Sequence, residues 1–66
     1  MTIGNRIKEL RQELSLSQEK LGALIGVSQK AVAFWENNVC EPKAFYIVKL
    51  VRALDMSFDE FFEDVD

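Results

Sequence analysis

Apolar residues recur at intervals of three and four positions, in short runs that are separated by capping residues. The first run consists of Ile3, Ile7, Leu10 and Leu14, and this spacing puts its members on one face of a helix. A half-buried strand would need apolar and polar residues in strict alternation, and no segment has convincing alternation of this kind. The pattern therefore predicts an all-α fold.

Five helices are predicted from these runs and from the residues that flank them. Ser17, Ser28 and Ser57 are suited to cap helix N-termini through their hydroxyl oxygens, and Ser57 can form a capping box with Glu60. Gly26 is suited to end a helix, because glycine enters the left-handed region freely. The predicted helices span residues of about 3–14, 18–25, 29–37, 43–54 and 58–62.

The chain is short, which limits the ways in which it can be stabilised. Its 66 residues suit a single domain, with a core over about residues 3–62 and an acidic end at 63–66. Cys40 is the only cysteine and histidine is absent, so we expect no disulfide and no metal site. No apolar run is long enough for a membrane helix and no signal peptide is recognisable, so we expect a cytoplasmic protein.

The polar residues do not indicate catalysis. The sequence has no histidine, no glycine-rich phosphate loop and no metal-ligand spacing. Cys40 has no histidine to activate its thiol. We therefore expect a protein that is not an enzyme and that uses no cofactor.

Charge is distributed unevenly along the chain. The net charge of −3 would by itself disfavour a nucleic-acid partner, but residues 1–54 carry eight basic and five acidic side chains, whereas residues 55–66 carry six acidic ones and no basic one. A mildly basic body is thus followed by an acidic segment. That segment either keeps the protein soluble or faces away from an anionic partner.

Residues 18–37 carry the most informative pattern. Two short predicted helices are separated only by Gly26, Val27 and Ser28, and Gly22 leaves room for a close crossing between them. This arrangement is a helix-turn-helix. The outward positions of its second helix are Ser28, Gln29, Lys30, Ala33, Phe34 and Asn37.

Over about residues 3–62, the chain resembles the lambda-repressor-like (Cro/repressor, XRE-type) helix-turn-helix family of phage repressors and bacterial regulators. The matching segments are Ile7–Arg11, Leu16–Leu21, Ile25–Ser28, Trp35–Glu36 with Pro42, and Ala53–Leu54 with Ser57–Glu60. The resemblance implies a compact five-helix domain that binds specific sequences of double-stranded DNA, usually as a dimer. Ser15, Asn38 and Asp55 depart from it, because the family usually has glycine at these positions.

The resemblance also implies roles for individual residues, with the third helix in the major groove of DNA. The positions that would face base edges are Gln29, Lys30, Ala33 and Phe34. The positions that would contact the DNA backbone are Gln18, Ser28, Asn37 and Lys43. Arg11 and Glu36 match a structural ion pair. For the polar and aromatic residues of the third helix, an ordinary exposed helix surface is the alternative.

The predicted fourth and fifth helices contain more apolar residues than one face can bury. The excess predicts a two-fold homodimer interface, and the alternative is that these side chains complete the core. The predicted interface residues are Tyr46, Phe58, Phe61, Phe62 and Val65.

Together these features predict a transcriptional regulator, a repressor that binds a palindromic operator as a homodimer. No small-molecule ligand is evident from the sequence. The alternative is a helix-turn-helix fold that serves as a protein–protein interaction module, an interpretation that the net acidity and the outward Phe34 keep open.

Overall fold

Five helices make up the computed structural model, which describes all residues from 1 to 66. They are α1 (Ile3–Glu13), α2 (Gln18–Ile25), α3 (Gln29–Glu36), α4 (Ala44–Ala53) and α5 (Phe58–Phe61). The structure contains no strand, so the predicted all-α fold is confirmed. Each predicted helix boundary lies within one residue of the observed one. None of the helices combines the length and the apolar character needed to cross a membrane.

Hydroxyl side chains cap the N-termini of four helices. Thr2, Ser17, Ser28 and Ser57 each accept a hydrogen bond of 3.0–3.1 Å from the backbone amide three positions further on. At α5 the carboxylate of Glu60 also accepts a bond of 3.1 Å from the Ser57 amide, which completes the predicted capping box. These bonds satisfy amides that have no partner within the helix.

Each of the four connections between helices contains one residue with a positive φ angle. These residues are Ser15 (57°), Gly26 (79°), Asn38 (60°) and Asp55 (53°). The left-handed helix end predicted at Gly26 is confirmed, and Asn38 adopts the same conformation after α3. A residue other than glycine adopts this conformation at a cost of about 1–2 kcal/mol, so three of the four connections are strained.

A single hydrophobic core receives residues from all five helices. Its ten buried members are Ile7, Leu10, Leu21, Ile25, Val32, Trp35, Leu50, Val51, Leu54 and Phe61. Trp35 extends the core towards α4, because its ring lies 5.8 Å from the ring of Tyr46. The core thus fixes α3 from one side and leaves its other side free.

The assignment of Phe61 to a dimer interface is wrong. Its side chain has 0% exposure and belongs to the core. Phe62, the next residue, is exposed and its ring meets that of Phe61 edge-on at 5.1 Å. Of the other predicted interface residues, Phe58 is exposed, whereas Tyr46 and Val65 are half-buried.

Two buried glycines allow helices and turns to approach closely. A Cβ atom on Gly4 would overlap the carbonyl oxygen of Trp35, so no side chain fits between α1 and the end of α3. A Cβ atom on Gly22 would lie 2.6 Å from the carbonyl oxygen of Val27. The close approach predicted at Gly22 is therefore confirmed, and the one at Gly4 is a finding of the structure.

Arg6 connects the first helix to the last. Its Nε donates to the carbonyl of Phe61 at 2.9 Å and its Nη2 donates to the carbonyl of Glu60 at 2.6 Å. Its Nη1 forms an ion pair with Glu9 on the same helix. The last carbonyls of a helix have no partner within that helix, so Arg6 acts as the C-terminal cap of α5.

Candidate nucleic-acid interface

Helices α2 and α3 form a helix-turn-helix with a tight connection. Each has eight residues, and Gly26, Val27 and Ser28 join them. The amide of Val27 donates to the carbonyl of Gly22 at 2.9 Å. Because Gly22 has no side chain, the turn packs directly against α2. The turn therefore sets the angle at which α3 leaves α2.

One side of α3 is anchored in the protein and the other is open. Val32, Trp35 and Glu36 are the buried residues of this helix. The side that faces away from them comprises Gln29, Lys30, Ala33, Phe34 and Asn37. All of these are exposed except Ala33, which is half-buried. The residues predicted to face base edges thus share one surface.

Lys30 and Phe34 are in contact on this surface, one helical turn apart. The Lys30 Nζ atom lies 5.5 Å from the centre of the Phe34 ring, within the range of about 6 Å for a cation–π contact. Phe34 is nevertheless 39% exposed. The surface therefore presents an ammonium group and an apolar ring side by side.

The residues predicted to contact a DNA backbone stand at or next to helix ends. Ser28 caps α3, Asn37 is exposed directly after α3, and Lys43 is exposed directly before α4 and forms no ion pair within the protein. Gln18 is half-buried, because its Nε2 donates to Glu36 at 3.1 Å. Sequence patterns gave no sign of this bond.

The expected ion pair between Arg11 and Glu36 is present. The Arg11 Nε donates to Glu36 Oε2 at 2.7 Å and its Nη2 donates to Oε1 at 3.0 Å, while its Nη1 donates to the carbonyl of Leu16 at 2.7 Å. The hydrogen bond to Glu36 raises the pKa of Arg11, an effect that burial opposes and the charge of Glu36 assists. The pair ties α1 to the buried side of α3 and so holds its open side in position.

Exposed charges differ between the helix-turn-helix and the C-terminal part of the chain. Lys20, Lys30 and Lys43 are exposed on α2, on α3 and just before α4. The acidic residues Asp55, Asp59, Glu60, Glu63, Asp64 and Asp66 are all exposed in or beside α5. The structure groups no three His, Cys, Asp or Glu side chains in a way that could hold a metal ion. Exposed lysines therefore stand on and beside α3, whereas the exposed acidic side chains of residues 55–66 lie in or beside α5.

The tight turn, the buried anchor and the open face of α3 define a helix-turn-helix domain. A family model described as helix-turn-helix matches residues 7–61. The chain therefore belongs to this family, in its XRE-type branch, as the resemblance implied.

Two relatives are similar to this chain over most of its length. The uncharacterized HTH-type transcriptional regulator YgzD of Bacillus subtilis is 36% identical over 58 residues, which is 88% of both chains. Repressor protein C2 of Salmonella phage P22 is 37% identical over 57 residues. That match takes in 86% of this chain and 26% of the repressor, so the chain spans about a quarter of that relative.

Solved structures confirm the fold. The P22 c2 repressor in complex with a synthetic operator matches with a TM-score of 0.83 and 34% identity over 92% of each chain. The restriction-modification controller protein C.AhdI from Aeromonas hydrophila matches with a TM-score of 0.84 and 37% identity over 91% of each chain. The predicted five-helix, repressor-like architecture is therefore correct.

Proposed function

We propose that the protein is a transcriptional regulator that binds a specific sequence of double-stranded DNA and acts as a repressor. The observation that carries the proposal is the open side of α3, where polar, cationic and aromatic side chains project from a helix anchored by three buried residues. The likeness to a phage repressor in complex with operator DNA supports it.

In the proposed complex α3 lies in the major groove and reads base edges. Gln29 binds an adenine through two hydrogen bonds, and Lys30 donates to a guanine. Ala33 and Phe34 contact thymine methyl groups. Each well-placed pairing discriminates against a wrong base by about 1–3 kcal/mol, so a few such contacts are enough to select an operator.

The DNA backbone is bound at the ends of the helices that flank this surface. The N-termini of α2 and α3 offer free amides and the positive end of a helix dipole, which suit phosphate groups. Ser28 and Gln18 stand at these ends, and Gln18 contributes through its backbone amide because its side chain is bonded to Glu36. Asn37 and Lys43 add polar and cationic contacts on the far side of α3.

The protein binds as a two-fold homodimer, so that its operator is a palindrome. Phe58 and Phe62 on and after α5 leave apolar surface exposed, and Tyr46 and Val65 are only half-buried. A second copy would cover such surface. Two α3 helices related by the two-fold axis then meet half-sites about 34 Å apart, one turn of DNA.

A helix-turn-helix that binds another protein through α3 is the less favoured alternative, because the relatives are transcriptional regulators and one was solved with operator DNA. The proposed activity is binding without catalysis and requires no cofactor. Residues 1–66 act as one unit in this proposal, and we expect the protein in the cytoplasm, where it meets its DNA.

The test is selection from a random duplex library at about 50 mM salt, where phosphate contacts are not yet screened. We expect a near-palindrome whose half-sites are about 10 base pairs apart. The double variant Gln29→Ala, Lys30→Ala should lose this preference. The matched control is Lys8→Ala, Gln12→Ala, an exposed basic and amide pair on α1, which should keep it.

Failure to enrich any sequence, with a folded wild-type protein, would reject the proposal. The dimer is tested separately by sedimentation equilibrium at tens of micromolar. We expect twice the chain mass of 7.6 kDa, and a reduced dimer fraction for Phe58→Ser. A mass of 7.6 kDa for the free wild type, together with one chain per operator duplex in the complex, would reject the homodimer.

A further inference from the structure

We propose that Lys30 and Phe34 form one recognition unit for a guanine that is next to a 5-methylpyrimidine. Phe34 contacts the methyl group and at the same time positions the ammonium group of Lys30. The inference rests on the proposed function and extends it in two respects. It couples two residues, and it defines the ligand by a methyl group that thymine and 5-methylcytosine share.

The distance between the two groups limits which bases they can read together. Consecutive base pairs are about 3.4 Å apart along the duplex axis, so bases two steps apart are separated by about 6.8 Å. The Lys30 Nζ atom lies 5.5 Å from the Phe34 ring centre. This distance is long enough for one base step together with a sideways offset, and it is shorter than two base steps. The unit therefore reads neighbouring base pairs.

The exposure of Phe34 determines what its ring can bind. The ring is 39% exposed on a face whose other side chains are polar, except for the half-buried Ala33. The only apolar group that a base edge presents in the major groove is the methyl group at C5 of thymine. A 5-methylcytosine carries its methyl group at the same ring position. The chemical class of the ligand is thus a 5-methylpyrimidine rather than thymine alone.

The surroundings of Lys30 leave its ammonium group available. It forms no ion pair within the protein, and the one acidic residue of α3, Glu36, is buried against Arg11. The side chain of an unpaired lysine is flexible. Contact with the Phe34 ring therefore restricts the range of positions that the ammonium group can occupy. Guanine offers two acceptors, N7 and O6, to a donor held in this way.

The first experiment selects operators in parallel with the wild type, Lys30→Met and Phe34→Ala. Methionine keeps an unbranched apolar stem and removes the charge. We expect Lys30→Met to lose preference at a G·C pair and Phe34→Ala to lose it at an adjoining T·A pair. Affected positions that are separated by a further base pair, or that lack G and T, would overturn the inference.

The second experiment removes the methyl group alone. Replacing the thymine by deoxyuridine should weaken wild-type binding about fourfold, the value of one buried methyl group, and should leave Phe34→Ala unchanged. With a C·G pair at this position, 5-methylcytosine should bind about fourfold tighter than cytosine. Equal wild-type affinity for thymine and uracil would reject the assignment of Phe34.

The variant Phe34→Leu separates contact with the methyl group from the positioning of Lys30. Leucine keeps an apolar side chain and loses the ring face, so the preference for thymine over uracil should persist. The preference for guanine should fall about two- to fivefold, the strength of an exposed cation–π contact. An undiminished guanine preference would reject the positioning role.

Two controls keep the outcomes distinct. Each variant should show a cooperative thermal unfolding transition above the temperature of the binding assay, so that a change in base preference is read on folded protein. A wild type that selects no sequence would reject the proposed function together with this inference. A wild type that selects an operator without the adjoining G and T would reject this inference alone.

Discussion

Replacing Glu36 by glutamine tests how strongly the buried ion pair supports the fold. The carboxylate accepts bonds from Arg11 at 2.7 and 3.0 Å and from Gln18 at 3.1 Å. Its side chain is 1% exposed and that of Arg11 is 12% exposed. Removal of one partner from a buried pair costs about 3–5 kcal/mol. We expect Glu36→Gln to lower the free energy of unfolding by about 3 kcal/mol, the lower end of this range, because Arg11 keeps some contact with water.

The loss is large relative to the total stability of so small a protein, which is roughly 3–10 kcal/mol for a chain of this length. The melting temperature should fall by roughly 12–24 °C, and urea unfolding followed by circular dichroism gives the free energy. The pKa of Arg11 is raised, so the stability that its charge contributes is fully present below the ordinary arginine pKa and is lost only above it. The stability lost on Glu36→Gln should therefore be equal at pH 7 and pH 9.

A matched control is Glu9→Gln, which removes the charge from a half-exposed partner of Arg6 and should cost less than about 1 kcal/mol. The double variant Arg11→Met, Glu36→Leu should be more stable than Glu36→Gln, since no charge is left unpaired. The reasoning is refuted if Glu36→Gln costs less than about 1 kcal/mol, or if the double variant is the less stable one.

Three further substitutions test backbone features of the fold by urea unfolding. Gly4→Ala should destabilise the protein by about 1–3 kcal/mol, because the added Cβ would overlap the Trp35 carbonyl. Helix propensity alone predicts the opposite, a stabilisation of about 0.5–1 kcal/mol. The sign of the change in unfolding free energy therefore shows which effect dominates. Ser15→Gly and Asp55→Gly should each stabilise the protein by about 0.5–1 kcal/mol. Glycine removes the strain of the positive φ angle at these positions, and the larger entropy that glycine loses on folding offsets part of this gain. A loss of stability in both of these variants would contradict the assigned strain.

Local signals in the sequence were sufficient to predict the helices. Ser17, Ser28 and Ser57 cap helices through amides three positions away, so each signal and its effect lie within one turn. Gly26 and Asn38 likewise act on the helix that they end. The predicted boundaries were therefore correct to within a residue, and the open side of α3 followed from helical periodicity.

Features that depend on residues distant in the chain could not be predicted in this way. Nothing near Gly4 indicates that it abuts Trp35, and nothing near Gln18 indicates that it bonds to Glu36. The burial of Phe61 was missed because α5 has only four residues, too few for an apolar stripe to reveal which ring points inward. The Arg11–Glu36 pair was expected from family resemblance and not from any local pattern.

The bonds that Arg6 makes to α5 have a consequence for how the chain opens. A helix of four residues does not persist in isolation, and the last carbonyls of α5 are held by a side chain from α1. When α1 frays past Arg6, the carbonyl of Phe61 loses the Arg6 donor and the carbonyl of Glu60 is left with the backbone amide of Glu63 at 3.3 Å. Phe61 then loses a restraint on its place in the core. We therefore expect the amide hydrogens at the two ends of the chain to exchange with solvent in one cooperative opening, although they lie at opposite ends of the sequence.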